Sequence, residues 1–242
     1  MSTMNSKLVT GGILAIIGLI TLKVVMFLVG GTIAIFALER GNPRTLGPLG
    51  LGEAWLASYF QSVTPRTAGF NTLDIGGMQA PTLFLVMLLM FIGASPGGTG
   101  GGIKTTTFGV TMAALWSTVR GSGEPVVFRR RLAPDLVARA FFISLIAFLA
   151  LNAIAWLVLL VERKDLLGTL FETTSAFGTV GLSMSPAGTP VSLSGSFGAA
   201  GKLLEAAMMY LGRVGPLTLA VALAGGAERV RMRYPEAKVL IG

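Results

Sequence analysis

The stretch that decides the fold is Phe171 to Met184, FETTSAFGTVGLSM, a helix-capable run that ends in a Thr-Val-Gly turn between two long apolar segments. The pattern predicts a short helix over 166–177 that enters a bilayer and stops. Gly178 and Gly181 then permit backbone conformations closed to residues that carry a Cβ. Non-helical chain inside a membrane is tolerated only where it is buried in protein or faces water. Because carbonyls that face such a cavity can replace a cation's hydration shell, the stretch indicates a pore loop.

A second stretch repeats this order of parts about 110 residues earlier in the chain. Phe60 to Asp74, FQSVTPRTAGFNTLD, has an aromatic residue, a short polar-apolar helix pattern and then Thr67-Ala68-Gly69-Phe70 with Asn71 behind it. Thr-x-Gly-apolar followed by a small polar residue therefore occurs twice. A lone Thr-Val-Gly tripeptide would fit an ordinary polar loop at a membrane surface, but the second copy favours an internal repeat of pore loops.

The composition of the chain excludes several function classes. Hydrophobic residues make up 52% and charged residues only 12%, about half the charged fraction of a soluble domain, which indicates an integral membrane protein. The chain has no cysteine and no histidine, which removes thiol nucleophiles, zinc ligation by these residues and the Ser-His-Asp triad. The excess of 19 Lys and Arg over 11 Asp and Glu is explained by the positive-inside rule, so nucleic acid binding is not expected.

Apolar segments and pore loops divide the chain into two similar units of an all-α integral membrane fold. Each unit is predicted to contain a span, a re-entrant pore loop with a short helix, and a second span. The first unit, 1–119, comprises a span at 8–38, a pore loop at 53–74 and a broken span at 81–119. A basic loop at 120–137 leads to the second unit, 138–242, which comprises a span at 138–161, a pore loop at 166–184, a span at 202–224 and a tail at 225–242.

The second span of the first unit is interrupted by glycine. Pro81 to Ile92 is about 12 residues long, too short to cross a bilayer alone, and GASPGGTGGG follows at Gly93 to Gly102. Each interior Gly costs a helix about 1 kcal/mol and Pro about 3 kcal/mol, so the helix must break there before the apolar pattern resumes over 103–119. A broken helix at membrane depth typically marks an ion site or a moving part. A kinked helix with small residues for close packing is the alternative.

The run GGTGGGIKTT also invites comparison with a phosphate-binding loop, because glycines followed by Lys-Thr cradle phosphates in nucleotide-binding proteins. The comparison fails in detail. The phosphate-binding pattern needs Gly immediately before the Lys, and here Ile103 precedes Lys104. The preceding segment is also a predicted membrane helix and not a sheet strand. A nucleotide-binding membrane ATPase subunit is therefore the least favoured of the functions considered.

The charged connections predict the orientation of the chain in the membrane. The loop at 120–137 contains Arg129-Arg130-Arg131, and the tail at 225–242 has four further Lys and Arg residues. By the positive-inside rule both are cytoplasmic. The sequence Glu-Arg-Lys-Asp at 162–165 is balanced in charge and is predicted to be external. Both termini and the middle loop are thus expected on the cytoplasmic side.

The last predicted span carries Arg213 within YLGRVGPLTL. An arginine near the middle of a span costs at least about 2.5 to 3.5 kcal/mol. Because its guanidinium cannot lose its charge, it needs carbonyl, carboxylate or water partners. Glu205 lies two turns earlier and is predicted to face a similar direction. Two roles stay open for Arg213, a structural one paired to loop carbonyls and a fixed positive charge below the filter that repels resident cations.

Four motifs, taken in order, make the chain resemble the Trk/Ktr/HKT superfamily of potassium transporters, and especially the membrane subunits of Ktr-type bacterial uptake systems. They are FQSVTPRTAGFNT at 60–72, SPGGTGGGIKTTT at 95–107, FETTSAFGTVGLSM at 171–184 and GRVGPLT at 212–218. The resemblance implies K⁺ at the backbone carbonyls of two filter segments, which are Thr67, Ala68, Gly69, Phe70 and Asn71, and Thr179, Val180, Gly181, Leu182 and Ser183. It implies an intramembrane gate loop with Ser95, Gly97, Gly98, Thr99, Gly100, Gly101, Gly102 and Lys104. It also implies that Arg213 is a pore-facing charge near that loop.

Members of that superfamily carry four such units in one chain, whereas this chain has two, which resemble the third and fourth. We therefore expect the C-terminal half of a transporter, completed by an N-terminal half or by a second copy. The expected function is K⁺ uptake, without enzymatic activity and without a cofactor in this chain; a Na⁺ or Na⁺/K⁺ transporter and an inactive truncated remnant are the alternatives. The resemblance further implies the plasma (cell inner) membrane, a homodimer of the full subunit and a cytoplasmic nucleotide-binding regulatory subunit of the KtrA or TrkA kind.

Overall fold

The computed structural model of this protein describes residue 25 and residues 27–95, 100–121, 125–127, 130–185 and 191–215. Helices dominate these ranges. In chain order they are α1 (Phe27–Glu39), α2 (Leu51–Val63), α3 (Ala80–Phe91), α4 (Thr105–Val119), α5 (Pro134–Glu162), α6 (Leu166–Gly178) and α7 (Ala199–Val214). Short 3-10 turns cover Ile75–Gly77 and Leu193–Ser196, and an antiparallel hairpin pairs β1 (Val126–Val127) with β2 (Arg130–Arg131), with Val126 opposite Arg131.

One of the described helices, α5, is long and apolar enough to cross a bilayer. It has 29 residues and a mean hydropathy of 2.5 over its most apolar window, of which only 22% is buried within the fold. The core helix of a soluble protein is mostly buried, so the outward apolar surface of α5 fits contact with lipid. The described parts of α1 and α3 are apolar but shorter than a membrane span.

The ends of α5 follow from its sequence. Pro134 occupies the first turn, where its missing N–H would have no helical partner in any case. Asp135 places a negative charge beside the positive end of the helix dipole. Arg163 ends the helix in a left-handed conformation with a φ of 51°. The helix therefore extends the predicted span at 138–161 by about one turn at its start.

Both short helices that were expected before the filter segments are present in the fold. α2 and α6 end within a residue of the predicted helices at 53–64 and 166–177. The start of α6 is fixed by Asp165, whose carboxylate accepts the backbone N–H of Gly168 at 2.7 Å, a hydrogen bond that satisfies one of the free donors of a helix N-terminus. The position of these helices relative to a bilayer stays a prediction.

Helix α6 is the centre of the fold, because α3, α5 and α7 all pack against it. Every residue from Phe171 to Gly178 is buried. Phe171 belongs to one core cluster, which it shares with Leu83, Val86 and Met90 of α3 and with Val180 and Leu182. Phe177 belongs to a second cluster, which it shares with Ile103, Ala147, Leu151 and Met208. The segment that follows α6 is therefore held between these two clusters.

A buried carboxylate fixes the connection between α1 and α2 against the start of α3. Glu39 accepts hydrogen bonds from the Asn42 amide at 2.6 Å, the Thr45 hydroxyl at 2.6 Å and the backbone N–H of Gln79 at 2.8 Å. The Asn42 amide also donates to the carbonyl of Gly77 at 2.8 Å. Because burying a charge without partners is costly, this network stabilises one arrangement of the two connections that flank the first pore loop.

Two features differ from the expected all-α architecture. The basic connection at 120–137 contains the β1–β2 hairpin, whose strands of two residues each are too short to give an alternating pattern. Helix α7 ends at Val214, inside the predicted span at 202–224, because Gly215 takes a φ of 90°, outside the helical region; the rest of that span lies outside the described residues. Most of the predicted span at 8–38, and the tail at 225–242, lie outside the described residues.

Candidate functional site

The first filter segment, Thr67–Asn71, follows α2 and turns sharply. Thr67 has a φ of 70° and Gly69 a φ of 73°, both in the left-handed region. Glycine adopts this conformation readily, whereas a β-branched residue adopts it only rarely. The surroundings must therefore hold Thr67 in place.

The end of α2 supplies the hydrogen bonds that hold this turn. The carbonyl of Thr64 accepts the N–H groups of Ala68 at 3.1 Å and of Gly69 at 3.2 Å. The hydroxyl of Thr64 donates to the carbonyl of Phe70. Three hydrogen bonds thus connect Thr64 to the first filter segment. Thr64 was not among the site residues predicted from the sequence.

The second filter segment, Thr179–Ser183, has the same conformation. Thr179 has a φ of 50° and Gly181 a φ of 94°. The carbonyl of Ser175 accepts the N–H of Val180 at 2.9 Å, and its hydroxyl accepts the N–H of Gly181 at 3.1 Å. Ser175 therefore holds the second filter segment by hydrogen bonds, as Thr64 holds the first. In the sequence, a residue with a hydroxyl group stands three or four positions before each filter threonine. This pattern could have identified both Thr64 and Ser175.

The two segments share their unusual backbone as well as their sequence. Thr67 and Thr179 are two of the three non-glycine residues with positive φ in the described ranges; Thr179 is the C-cap of α6, as the third, Arg163, is the C-cap of α5. A residue held in this region costs of order 1–3 kcal/mol, and such residues cluster at functional sites. The repeat in the sequence thus corresponds to a repeat in the backbone at the position expected for the filter.

Most carbonyl oxygens of the two segments accept no hydrogen bond from the described residues; the carbonyl of Phe70 is an exception. No hydrogen bond between described residues ends on a carbonyl of Thr67–Gly69 or of Thr179–Leu182. In the described ranges no group of three or more Asp, Glu, His or Cys side chains could hold a metal ion. A cation at this site would therefore be bound by backbone carbonyls and threonine hydroxyls, which suits an ion that loses its hydration shell to carbonyls.

The two filter segments lie directly against each other. A Cβ placed on Gly69 would collide with the carbonyl oxygen of Val180 and lie 3.6 Å from the Cα of Gly181. Glycine is thus required at position 69 both for its positive φ and for this close approach. The contact places the free carbonyls of the two units in one region of the molecule.

The predicted gate loop begins where α3 ends and returns beside it. Ile92 and Ile103 form an isolated parallel bridge, and the N–H of Ile103 donates to the carbonyl of Phe91 at 3.1 Å. The N–H of Gly102 donates to the carbonyl of Phe177 at 3.1 Å. The two helices on either side of the loop are therefore joined at its base, and the loop is anchored to the end of α6. Gly97, Gly98 and Thr99 lie outside the described residues.

The described glycines of the loop contact both filter threonines. The N–H of Gly101 donates to the hydroxyl of Thr179 at 3.1 Å. A Cβ on Gly100 would lie 3.0 Å from Cγ2 of Thr67, and a Cβ on Gly101 would lie 2.8 Å from Oγ1 of Thr179. The structure thus brings together the gate loop and the first residue of each filter segment, three elements that are distant in sequence.

Three predicted polar residues surround this junction. The ammonium of Lys104 donates to the carbonyl of Gly100 at 2.6 Å, and Ser95 accepts a hydrogen bond from the hydroxyl of Thr105 at 3.3 Å. The guanidinium of Arg213 lies 3.5 Å from the hydroxyl of Thr179. Lys104 and Arg213 are also close enough to repel each other electrostatically. Two positive charges therefore lie beside the gate loop.

The expectation that Glu205 and Arg213 face a similar direction is wrong. Arg213 is exposed, whereas Glu205 is 2% exposed and accepts a hydrogen bond from the hydroxyl of Thr173 at 2.7 Å. Eight residues of α-helix turn through about 800°, which is about 80° more than two full turns. The two side chains therefore diverge, and Arg213 reaches the filter without a carboxylate partner among the described residues.

Comparison with protein families gives a match to the model of TrkH, described as a cation transport protein, over residues 7–228. The chain is 41% identical over 214 residues to Ktr system potassium uptake protein B of Bacillus subtilis, with 87% of this chain and 45% of that protein covered. It is 40% identical over 217 residues to the protein of the same name from Vibrio alginolyticus, covering 90% of this chain and 46% of that protein. It is 34% identical over 223 residues to potassium/sodium uptake protein NtpJ of Enterococcus hirae, covering 90% of this chain and 48% of that protein.

A solved structure shows the same fold. The potassium transporter TrkH from Vibrio parahaemolyticus superposes with a TM-score of 0.69 at 19% sequence identity, over 82% of this chain and 42% of that chain. The chain spans less than half the length of the relatives it matches. The family match covers most of the chain, including both filter segments, the gate loop and Arg213. The chain therefore belongs to the TrkH family of cation transport proteins.

Proposed function

We propose that this chain supplies two of the filter segments of a K⁺ uptake pore. The observation that carries the proposal is a pair of matching segments in which the threonine and the glycine both have positive φ. The carbonyls of Thr67–Gly69 and Thr179–Leu182 accept no hydrogen bond from the described residues, and the two segments lie against each other at Gly69 and Val180. Carbonyls arranged in this way can replace the hydration shell of a cation. The relatives named for potassium uptake support K⁺ as the ion. The relative named for both potassium and sodium keeps a Na⁺/K⁺ transporter as the second candidate.

The gate loop controls entry to this pathway in the same proposal. Its glycines Gly100 and Gly101 touch Thr67 and Thr179, so the loop can act on both segments at once. Glycine-rich chain has little preference among conformations, and two arrangements of the loop would differ by only a few kcal/mol, an amount that binding of a partner can supply. α3 and α4 are then the two halves of one broken membrane crossing.

The positive charges beside the loop take part in conduction in this account. The guanidinium of Arg213 lies within 3.5 Å of the filter threonine Thr179, and Lys104 is bound to the loop at Gly100. A fixed positive charge at the end of the filter repels a resident cation and so favours its release. Arg213 thus serves both as a contact that positions Thr179 and as a pore-facing charge.

The assembly follows from the same reasoning. Two pore loops cannot encircle an ion, so two further units, from an N-terminal half or a second copy, complete the filter. We place the protein in the cell inner membrane with both termini cytoplasmic, because its basic segments at 120–137 and 225–242 obey the positive-inside rule. A cytoplasmic nucleotide-binding regulatory subunit and a homodimer of the full subunit complete the proposal, and the chain acts as a transporter and not as an enzyme.

The substitution Gly101→Ala tests the contact between loop and filter. The added Cβ would lie 2.8 Å from Oγ1 of Thr179 and 2.9 Å from the carbonyl of Phe177, closer than real Cβ contacts allow. The loop must therefore move away from the filter. We expect ⁸⁶Rb⁺ uptake by the assembled transporter to rise severalfold and its dependence on the regulatory subunit to weaken.

The matched control is Gly52→Ala in α2, where a Cβ would meet no atom within 4 Å. It should leave both the uptake rate and its regulation unchanged. If Gly101→Ala reaches the membrane in normal amounts and transports like the control, the loop is a kink in a helix and does not act as a gate.

A further inference from the structure

A partly open cavity of about 410 Å³ is lined by the second filter segment, α6, α7 and the segment at 192–194. Two carboxylates line it, Glu172 from α6 and Glu205 from α7. Glu172 is 5% exposed and Glu205 is 2% exposed. Neither forms a salt bridge with a Lys or Arg of the described ranges. The cavity therefore holds two acidic side chains that are almost fully removed from solvent.

In each carboxylate, one oxygen accepts hydrogen bonds from the described residues and the other accepts none. Oε1 of Glu172 accepts the hydroxyl of Ser183 at 2.9 Å and the N–H of Ser194 at 2.8 Å, and Oε1 of Glu205 accepts the hydroxyl of Thr173 at 2.7 Å. In both residues Oε2 is buried and has no hydrogen-bond partner. A buried carboxylate oxygen without a partner costs several kcal/mol. Two such oxygens at one cavity require a ligand that compensates their charge.

The polar groups around the cavity, which lie beside apolar side chains such as Met209, are of one chemical kind. Hydroxyls of serine and threonine lie on its wall together with the polar backbone of the filter segment, and no basic side chain is among its lining residues, which include Ser175, Thr179, Ser183, Ser192 and Ser194. Carboxylate, hydroxyl, carbonyl and water oxygens are the ligands of hard cations. A cavity of this size holds such an ion with several of its waters, since each water occupies about 30 Å³.

We propose that Glu172 and Glu205 bind a single hard cation, of the alkali or alkaline-earth class, behind the second filter segment and apart from the conducted ion. Oε2 of each glutamate is a direct ligand, and hydroxyls and waters complete the shell. Because Glu172 also holds Ser183 of the filter segment, the bound cation stabilises the segment from behind.

Thermal unfolding of the purified chain in detergent, at constant ionic strength with choline as the inert cation, tests this site. Na⁺, K⁺, Mg²⁺ and Ca²⁺ are titrated separately, and competition identifies the preferred class. We expect the midpoint of the wild-type protein to rise by several degrees with at least one of them, because a ligand of the folded state stabilises it by mass action. The rise should be lost in both Glu172→Gln and Glu205→Gln and kept in Asp135→Asn, an exposed carboxylate in α5.

The unfolding temperature in choline alone is a second measurement, which applies if a variant folds poorly. In choline alone, Glu205→Gln should unfold at or above the wild-type temperature, because it removes an uncompensated buried charge while keeping the side-chain shape. The filter variant Thr67→Ala separates this site from the pore: Thr67 does not line the cavity, so the variant should keep the cation-dependent rise even if ion selectivity is altered. An unchanged rise in both glutamine variants, or no rise with any of the four cations, would overturn the proposal. A choline midpoint of Glu205→Gln below that of the wild type would do the same.

Discussion

At the scale of single residues, the two predicted filter segments share four positions with positive φ, two threonines and two glycines. The turns that contain Thr67 and Thr179 are held by Thr64 and Ser175, which accept hydrogen bonds from the N–H groups of the two residues after each threonine. Glycine was predictable at the third position of each Thr-x-Gly motif, because the turn demands a residue without Cβ. The left-handed threonines were not predictable, since β-branched residues avoid that region and only the folded contacts impose it.

The two filter glycines differ in how much room they have, and this difference predicts unequal effects of alanine. A Cβ at position 181 meets no atom within 4 Å, whereas a Cβ at position 69 collides with the carbonyl of Val180. Gly181→Ala should cost about 1–2 kcal/mol from the left-handed backbone alone. Gly69→Ala should cost more, because the two filter segments must also separate. Denaturant unfolding of the two variants in detergent measures the difference, and equal losses would show that the segments do not touch at Gly69.

At the scale of secondary structure, the sequence predicted which elements exist better than where they end. α2, α6 and the break between α3 and α4 follow from local signals, namely short amphipathic runs that stop at Thr-x-Gly and a glycine-rich stretch that no helix survives. The end of α7 at Val214 also has a local signal, Gly215 followed by Pro216, which was not used in predicting the span at 202–224, whereas the β1–β2 hairpin has none. The burial of Glu205 beside Thr173 was missed because the eight-residue separation from Arg213 was counted as two full turns.

The contact between α6 and α7 depends on one glycine. A Cβ on Gly212 would collide with the carbonyl oxygen of Phe177, close to where that carbonyl accepts the N–H of Gly102. Gly212→Ala should therefore push α7 away from the end of α6 and disturb the anchor of the gate loop. We expect a loss of stability of about 2 kcal/mol or more, in the range of overpacked cores, measured by thermal unfolding in detergent.

A matched change in a helix with free space gives the control. Gly52→Ala in α2 meets no atom within 4 Å and should raise stability by about 0.5–1 kcal/mol, since alanine favours a helix over glycine. If both variants shift the midpoint upward, α7 does not approach α6 as closely as the structure has it.

At the scale of the whole molecule, two similar units place their filter segments side by side around α6 and bring one glycine loop against both. Composition alone indicated a membrane protein, and the repeat indicated two units. The close contacts of Gly69 with Val180 and of Gly101 with Thr179 arise from packing between the two units, and no local pattern encodes them. The chain spans less than half of its matched relatives, which agrees with a pore completed by further units.

The most direct test of the central claim is anomalous diffraction from crystals of the assembled transporter in Rb⁺, a heavy substitute for K⁺. We expect anomalous density from Rb⁺ within coordination distance of the free carbonyls of Thr67–Gly69 and Thr179–Leu182. Density at this position should be lost when Rb⁺ is exchanged for an equal concentration of K⁺. Ordered Rb⁺ elsewhere in the molecule, with none between the two filter segments, would contradict the assignment of these segments as the ion pathway.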